Sequence, residues 1–186
     1  MNDRGTIHLS VVDKEGNAVA LTQTNMGYSG VVNPGVGVML NNAMGWACPV
    51  PGTINSIVPH GRALNNMVPT IVSRNGRVEY VVGGSGGRRI WPAIAQIVSN
   101  VIDYGMSMQE AIEAPRIHVE SDDPMIDDRF SSTAVTELES RGHRVLSPPE
   151  HYLLWPFTEA NGIEVDDHVL RSGVAPGNKP TFAGGI

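Results

Sequence analysis

A β-rich run of apolar and hydroxyl residues opens the chain. Residues 6–12 read TIHLSVV, and residues 17–24 read NAVALTQT. Runs rich in β-branched residues are typical of strands. Lys14, Glu15 and Gly16 separate the two runs, and this three-residue loop has glycine in the position that needs a positive φ. The pattern therefore predicts a β-hairpin.

The hairpin register follows from its loop. If Asp13 faces Asn17, the opposite pairs are Val12–Ala18, Ser10–Ala20, His8–Thr22 and Thr6–Thr24. Directly opposite residues have Cβ atoms about 5 Å apart. Thr6 is then a candidate nucleophile with a second hydroxyl beside it. The alternative is an ordinary hairpin whose threonines are present for their β-propensity.

The next 45 residues are dense in glycine, proline and asparagine. Residues 25–69 are predicted to be mostly loop, with one short strand at 36–40, and long loops of this kind are often functional. Two strands follow at 70–73 and 78–82, joined by an Asn-Gly turn, which is a strong hairpin signal. This part of the chain therefore predicts a second hairpin after a long loop.

Helical spacing begins after a glycine run at 83–87. Apolar residues over 90–102 recur at the spacing of a largely buried helix, which Gly105 ends. Ser107 opens a capping box for a second helix over 108–114. The sequence thus predicts two consecutive helices after the second hairpin.

The remaining pattern alternates short strands with one further helix. The predicted elements are a strand at 117–120, a helix from Ser131 or Ser132 to about Ser140, strands at 143–146, 152–157 and 163–170, and a loop from 172. Strands paired mostly antiparallel and mixed with helices indicate an α+β fold.

The overall composition narrows the possible partners and locations. The 186-residue chain has a net charge of −6 and no basic cluster, which argues against nucleic acid as a partner. Its apolar runs are far too short for a membrane span. Residues 1–5 are polar, so no signal peptide is expected. The length fits one domain, or a large half of one.

Five stretches together go beyond generic patterns. They are residues 6–13, 16–19, 40–42, 83–90 and 116–118. In this order and spacing they resemble the small subunit of γ-glutamyltranspeptidase (glutathione hydrolase), over roughly the first three quarters of the chain. Members of this family are often periplasmic or extracellular. We therefore treat the whole chain, 1–186, as one small-subunit domain that diverges after about residue 146.

The resemblance implies both a fold and a chemistry. The fold is the small-subunit half of a four-layer αββα N-terminal-nucleophile hydrolase, with mostly antiparallel sheets. The family precursor cuts itself, and the new terminal threonine attacks a γ-glutamyl amide. Thr6 matches that threonine, and the cut falls between Gly5 and Thr6. A freed α-amine with a pKa near ~8 suits the role of base for a weakly nucleophilic hydroxyl.

Further site residues are carried over by the resemblance. Thr24 matches the family threonine that hydrogen-bonds the nucleophile. Gly86 and Gly87 match the glycines whose backbone N–H groups form the oxyanion hole, where glycine allows close approach of the substrate. Asn25 matches the asparagine near the glutamyl group. No cofactor and no metal are implied.

Two departures concern the acyl pocket. Where the family has an acid that holds the substrate α-amine, residues 43–46 read AMGW, and Trp46 lines the pocket instead. The paired serines that hold the α-carboxylate are replaced by Asn65 and Asn66, which retain hydrogen-bond donors. These departures predict an altered acyl specificity, as in cephalosporin-acylase-like relatives.

The sequence therefore favours an amidohydrolase or acyltransferase that cleaves a γ-glutamyl-type amide through a threonine acyl-enzyme. An acylase with another acyl preference is one alternative. A non-catalytic assembly subunit is the other, because the residues before Thr6 block its α-amine. The family's large subunit supplies half of both sheets, so we expect a large-subunit or homo-oligomeric partner.

Other groupings of residues are explained more simply. The glycine run 83–87 lacks the lysine and hydroxyl residue of a phosphate-binding loop. The acidic groups at 118–123 and 166–168 have no metal-ligand spacing, so solvated turns are the better interpretation. His8 shares a strand face with Thr6; it either orients the site or is a hydrogen-bonded core histidine, and we favour the latter.

Overall fold

The computed structural model describes residues 5–120, 122–148, 157–167, 169–176 and 181–185. Its strands and helices in chain order are β1 (Thr6–Val12), β2 (Ala18–Thr24), β3 (Tyr28–Asn33), β4 (Val38–Asn41), β5 (Thr70–Arg74), β6 (Arg77–Ser85), α1 (Ile90–Asp103), α2 (Met108–Glu113), β7 (Ile117–His118), β8 (Met125–Ile126), α3 (Ser132–Ser140), β9 (Glu159–Asp166) and β10 (Val169–Val174). All the described strand pairs are antiparallel.

The first hairpin has the predicted register. Thr6 pairs with Thr24, and every intervening pair follows from that alignment. Asp13 holds the turn, because its Oδ1 accepts backbone N–H bonds from Glu15 at 3.0 Å and Asn17 at 2.9 Å. Gly16 has a φ of +84°, the left-handed conformation that the loop requires. The turn therefore fixes which residues lie opposite each other at the open end of the hairpin.

A four-stranded sheet separates the hairpin from the helices. Its strand order is β10–β9–β6–β5. Consecutive strand residues point to opposite faces. On β6, Val82 packs into the core with the helices, whereas a Cβ on Gly83 would meet the His8 ring of β1 at 2.2 Å. The hairpin and the helices therefore cover opposite faces of this sheet.

The apolar core lies between the sheet and the helices α1 and α2. The largest share of its buried side chains comes from α1, whose buried positions are spaced as the sequence predicts. In α2, the Ser107 hydroxyl accepts the Glu110 N–H while the Glu110 carboxylate accepts the Ser107 N–H, which completes the predicted capping box. The buried core residues are Val82, Ile90, Ile94, Ile97, Val101, Met108, Ala111, Ile112, Ala160 and Ala175.

The outer face of the first hairpin is apolar and exposed. Its large side chains point away from the sheet, and each exposes more than two fifths of its surface: Ile7, Leu9, Val11, Val19 and Leu21. A contiguous apolar sheet face of this kind marks an interaction surface in a soluble protein. The layers present are thus hairpin, sheet and helices, with the hairpin uncovered on its far side.

The long loop contains one more strand than predicted. The strand predicted at 36–40 is β4, Val38–Asn41, and it pairs with β3, which the sequence did not predict. Gly30 in β3 has a φ of +77°, and the register shifts between Tyr28 and Val32. This bulge breaks the alternation that would have revealed the strand.

Several predictions after α2 are wrong. The single strand at 163–170 is two strands, β9 and β10, which turn at Asp166 and Asp167, and β10 extends to Val174 where a loop was predicted. The strand at 117–120 is only the two-residue β7, and 143–146 contributes a single bridge at Leu146. The unpredicted β8 pairs with β7. Residues 152–156 of the predicted strand at 152–157 lie outside the described residues.

The helices of the described residues are short. α1 is the longest at 14 residues. None of the described helices is both long and apolar enough to cross a bilayer.

Candidate active site

Thr6 and Thr24 form the centre of the site. Thr6 is the first residue of β1 and exposes 6% of its surface. Its Oγ1 donates a hydrogen bond to Thr24 Oγ1 at 3.0 Å. Thr24 Oγ1 also accepts the Met26 backbone N–H at 3.0 Å. The backbone after β2 thus fixes Thr24, and Thr24 in turn fixes the hydroxyl of Thr6.

Gly5 lies against the turn that follows β2. The structure is that of the uncut chain. A Cβ on Gly5 would come within 3.2 Å of the Gly27 nitrogen and 3.7 Å of Thr24 Oγ1. Met26 and Gly27 both have left-handed conformations, with φ of +54° and +71°. The Gly5–Thr6 peptide is therefore packed closely beside the same hydroxyl that contacts Thr6.

Gly86 and Gly87 connect β6 to α1. Their φ values are +151° and +64°, conformations that favour glycine. A Cβ on Gly86 would lie 3.1 Å from Thr158 Oγ1. Thr158 is fully buried, and its own Oγ1 has no hydrogen-bond partner among the described residues. The packing of Thr158 against Gly86 therefore leaves no room for a side chain at this position.

A buried arginine supports that packing. Arg116 exposes 1% of its surface and donates to the backbone oxygens of Ile112 and Thr158, the latter at 3.1 Å. The sequence pattern identified Arg116 as part of the family resemblance but assigned it no role. In the structure it joins the end of α2 to the segment that packs on Gly86.

His8 connects the hairpin to the sheet next to the site. Its Nδ1 lies 2.7 Å from Thr22 Oγ1 and its Nε2 lies 3.0 Å from Ser10 Oγ. Burial lowers the pKa of His8 to about 4. Both ring nitrogens are thus paired with hydroxyls in a neutral ring, which supports the prediction of a core histidine rather than a catalytic one.

The candidate substrate residues Trp46, Asn65 and Asn66 line one cleft of about 180 Å³. Trp46 is connected to the threonine pair through Met26. Its indole N–H donates to Met26 Sδ, and the Met26 backbone N–H donates to Thr24 Oγ1. Asn66 exposes 8% of its surface. The cleft also contains residues that sequence reasoning missed: Leu64, Arg88, Trp91, His118, Val119 and Glu120.

Asn25 is not among the cleft residues. Its backbone oxygen accepts the Asn42 N–H at 2.9 Å, which ties the end of β2 to the end of β4. Asn25 thus lies at the turn after β2 and does not line the cleft that contains Trp46, Asn65 and Asn66.

Charged side chains form a chain along the cleft. The Arg88 guanidinium carbon lies 5.0 Å from the centroid of the Trp46 ring, and Arg88 Nη1 lies 2.9 Å from Glu120 Oε1. Glu120 Oε2 lies 3.3 Å from Nε2 of His118, which exposes 4% of its side chain. Burial alone would raise the pKa of Glu120, but the hydrogen bonds from His118 and Arg88 outweigh it and lower that pKa.

The described members of the acidic groups noted in the sequence have other contacts or lie at an exposed turn. Among the described residues, no cluster of three or more histidine, cysteine, aspartate or glutamate side chains has the geometry to hold a metal ion. Glu120 bonds to Arg88 and His118 instead. Asp166 and Asp167 lie at the exposed turn between β9 and β10. His168 lies outside the described residues.

Sequence relatives include an acylase and a glutathione hydrolase. The chain is 38% identical over 146 residues to the acylase ACY 1 proenzyme of Pseudomonas sp. (strain V22), which covers 77% of this chain and 26% of the relative. It is 39% identical over 154 residues to the glutathione hydrolase proenzyme of Escherichia coli (strain K12), covering 75% and 27%. The chain thus spans about a quarter of the length of these relatives.

The fold matches solved structures of the same kind. γ-Glutamyltranspeptidase from Pseudomonas nitroreducens complexed with L-DON superposes with a TM-score of 0.81 at 30% identity, covering 96% of this chain and 98% of that one. A cephalosporin acylase from Bacillus halodurans gives a TM-score of 0.81 at 27% identity, covering 91% and 32%. The family model for gamma-glutamyltranspeptidase matches residues 1–180. The chain belongs to the γ-glutamyltranspeptidase family.

Proposed function

We propose that this chain is the nucleophile-bearing subunit of an amide hydrolase or acyltransferase. Thr6 forms the acyl-enzyme after the Gly5–Thr6 bond is cut. The observation that carries the proposal is the hydrogen bond between Thr6 and Thr24 in a member of this family. In this arrangement the Thr24 hydroxyl lies beside Thr6, the first residue of β1. Gly5, which precedes Thr6, packs on the turn that follows Thr24.

The proposed reaction has two halves. The free α-amine of Thr6 takes the hydroxyl proton as Oγ1 attacks the amide carbonyl, and the carbonyl oxygen becomes an oxyanion. Collapse breaks the C–N bond, and the leaving amine takes a proton from the α-ammonium group. Water or an amine then attacks the resulting ester, which frees Thr6 and releases the acid or a new amide. The first half thus moves the Thr6 hydroxyl proton to the leaving amine. In the second half the α-amine takes a proton from the attacking water or amine and passes it to Thr6 Oγ1 as the ester C–O bond breaks.

The remaining site residues orient the nucleophile, stabilise the oxyanion and bind the acyl group. Thr24 orients the Thr6 hydroxyl, since its own oxygen is held by the Met26 N–H. The N–H groups of Gly86 and Gly87 stabilise the oxyanion, a contribution that is typically worth a few kcal/mol per donor. Trp46, Asn65 and Asn66 bind the acyl part of the substrate in the cleft, and Asn25 supports the turn beside the threonines.

The substrate is a small acyl amide, of the γ-glutamyl type or with another acyl group. Trp46 favours the second of these, because it replaces the acid that the resemblance expects for an α-amine. The cleft contains one described carboxylate, Glu120, and that group already bonds to Arg88 and His118. An acylase of altered acyl preference is therefore the specific form of the proposal.

The working enzyme includes a large-subunit partner. The relatives are proenzymes, and the aligned three quarters of this chain cover only about a quarter of their length. The apolar outer face of the β1–β2 hairpin is exposed here, and burying its five large side chains is favourable by about 25 cal/mol per Å² of apolar surface. We infer that the large subunit packs against this face and buries it.

The test is amide turnover by the chain produced together with its large subunit. Thr6→Ala should abolish release of a chromogenic anilide, while Thr6→Ser should retain part of it because it keeps a hydroxyl. Thr133→Ala, on the exposed surface of α3, is the matched control and should behave like the unmodified enzyme. Equal turnover by Thr6→Ala and the unmodified enzyme would overturn the proposal. That result would favour the alternative that the chain is a non-catalytic assembly subunit.

A further inference from the structure

A hydroxyl and a carboxylate lie on the sheet face that the first hairpin covers. A Cβ on Gly83 would meet the His8 ring at 2.2 Å, and alternate residues of a strand share a face, so Ser85 points to the same side. Glu159 of β9 pairs with Ser85 and therefore shares that face. Ser85 exposes 6% of its surface, and its hydroxyl donates to Glu159 Oε2 at 3.2 Å. The proposed mechanism uses neither of these groups.

β1 is held over the seam between β6 and β9. Asn161 of β9 pairs with Gly83, and its Nδ2 donates to the backbone oxygen of His8 at 3.0 Å. The neighbouring Gly162 points the other way, because a Cβ there would meet Met108 Sδ of α2 at 2.7 Å. His8 therefore lies above one pair of residues in this seam, and the Ser85–Glu159 pair is the next on the same face.

The start of β1 reaches the Ser85–Glu159 pair. Thr6 lies two residues before His8 on the same face of β1, about 7 Å along the strand. Ser85 lies the same number of residues beyond the β6 position under His8, and Gly86 follows it directly. Because the proposed function brings the Thr6 hydroxyl to the Gly86 N–H, Thr6 lies toward this end of β6. Its backbone nitrogen is then beside the carboxylate of Glu159.

We propose that Glu159 is the carboxylate partner of the Thr6 α-amine once the Gly5–Thr6 bond is cut. This inference rests on the proposed function and adds a residue to its catalytic machinery. The cut turns a neutral peptide nitrogen into an amine that carries a positive charge when protonated. Thr6 is buried, and a buried ammonium group needs an opposite charge or several acceptors. Glu159 supplies that charge on the face that Thr6 covers.

The carboxylate acts on the base and not on the acyl group. When Thr6 Oγ1 attacks the amide, its proton passes to the α-amine, which becomes an ammonium group. A carboxylate beside that group stabilises the new positive charge, as the aspartate of a serine-protease triad stabilises its histidine. The Ser85 hydroxyl fixes the carboxylate through its hydrogen bond. Glu159 does not line the cleft of Trp46, so its loss should leave acyl binding intact.

The surrounding charged groups keep one charge state in the neutral pH range. Burial lowers the pKa of His8 to about 4, so its ring stays neutral there. Glu79 forms an ion pair with Arg74 at 2.9 Å. Guanidinium groups remain protonated throughout. The described charged residues on the elements around this space are His8 of β1, Arg74 of β5, Glu79 of β6, Arg88 and Arg89 after the glycine run, and Arg116 next to Thr158.

The test is the pH dependence of anilide turnover by the chain produced with the proposed large-subunit partner. The neutral α-amine is the active base, so kcat/KM rises with pH through the pKa of that amine. A neighbouring carboxylate favours the ammonium form and raises this pKa. Glu159→Gln should therefore move the rising limb to lower pH by about one unit or more, and should lower the plateau kcat roughly three- to tenfold with KM nearly unchanged. Glu159→Asp, which keeps the charge, should shift the limb less.

A direct titration keeps the test independent of turnover. NMR of the threonine methyl groups in the assembly follows the N-terminal Thr6, and the pKa of its α-amine should fall by about one unit or more in Glu159→Gln. Glu139→Gln, at an exposed glutamate of α3, is the matched control for loss of one negative charge and should change neither measurement. Where a variant stays uncut, the same chain begun at Thr6 behind a removable initiator methionine supplies the mature end.

Failure of this inference is distinct from failure of the proposed function. A rising limb and a Thr6 titration within about 0.3 units of the unmodified enzyme in Glu159→Gln overturn the role of Glu159. An effect on KM alone overturns it as well, because a partner of the base acts on kcat. If Thr6→Ala is inactive in these cases, the threonine chemistry stands alone. If Thr6→Ala turns over the anilide, the proposed function fails and the role of Glu159 fails with it.

Discussion

The Oγ1 atom of Thr6 lies 3.0 Å from that of Thr24, across the open end of the first hairpin. The contact follows from the register, because residues opposite each other share one face of the two strands. Thr24 is itself held by the Met26 N–H, so the pair has little freedom to rotate. This relationship orients the Thr6 hydroxyl, as its proposed role as nucleophile requires.

Removing the Thr24 hydroxyl should slow the reaction. Thr24→Val keeps the shape and β-propensity of the side chain but leaves Thr6 without its partner and the Met26 N–H without its acceptor. We expect kcat to fall roughly tenfold, in line with the loss of one or two hydrogen bonds. Thr24→Ser should lose much less. Steady-state kinetics with an anilide checks this, and a Thr24→Val enzyme as fast as Thr24→Ser would contradict it.

Gly86 should tolerate no side chain. A Cβ there lies 3.1 Å from both Cα and Oγ1 of Thr158, and the φ of +151° is unfavourable for alanine. Gly86→Ala should therefore move the loop and lower kcat by roughly 10²- to 10³-fold, as loss of an oxyanion donor does. Gly184→Ala is the control, since a Cβ at that position meets nothing within 4 Å. Full activity in Gly86→Ala would remove these glycines from the mechanism.

His8 should make the protein less stable in mild acid. Its pKa is about 4 in the folded state, below the ordinary value of 6.5, so the unfolded chain binds the proton more readily between these values. The contribution of neutral His8 is complete above pH 6.5, falls as the pH is lowered from 6.5 to about 4, and is lost below that range.

The melting temperature measured from pH 7.5 to 4 in His8→Gln tests this directly. Glutamine retains hydrogen-bonding capacity toward Thr22 and Ser10 without the titration, so its profile should be flatter than that of the unmodified protein. His143→Gln, at an exposed histidine, serves as the control. Parallel profiles for His8→Gln and the unmodified protein would show that His8 is not the group responsible.

Arg116 should be irreplaceable by lysine. Its guanidinium donates to two backbone oxygens, those of Ile112 and Thr158, in a fully buried position. A lysine ammonium lacks the planar fork of donors, so Arg116→Lys should lower the free energy of unfolding by about 1–3 kcal/mol, the cost of an unsatisfied buried acceptor.

Urea denaturation gives that free energy, with Arg141→Lys as the control for an exposed ion pair within α3. The control should change stability by about 0.5 kcal/mol or less. Equal effects of the two substitutions would show that the buried contacts of Arg116 contribute little to stability.

Local signals explain which parts of the fold could be predicted from sequence. The loop between Asp13 and Asn17, with Gly16 in it, determines the hairpin register, and Ser107 with Glu110 marks the start of α2, because these interactions form within a few residues. The strand β3 escaped prediction because Gly30 interrupts its alternation. The turn between β9 and β10 contains no glycine or proline that would have marked it in the sequence. Asp167 adopts the left-handed conformation there, with a φ of +50°.

The candidate site was predicted only in part for a related reason. Thr6 and Thr24 belong to one hairpin, so turn geometry alone places them together. Trp46, Asn65 and Asn66 entered through the family resemblance. Arg88, His118 and Glu120 come from separate stretches, and only the packing of α1 against β7 brings them into one cleft. No sequence pattern around Arg88, or around His118 and Glu120, predicts that contact.

The mass of the small subunit tests the central claim most directly. The chain should be produced with the proposed large-subunit partner, purified as the assembly and analysed by intact-mass spectrometry with N-terminal sequencing. We predict a subunit whose first residue is Thr6, and an uncut Gly5–Thr6 bond in Thr6→Ala. An assembly that hydrolyses the amide while its Gly5–Thr6 bond stays intact would contradict the account.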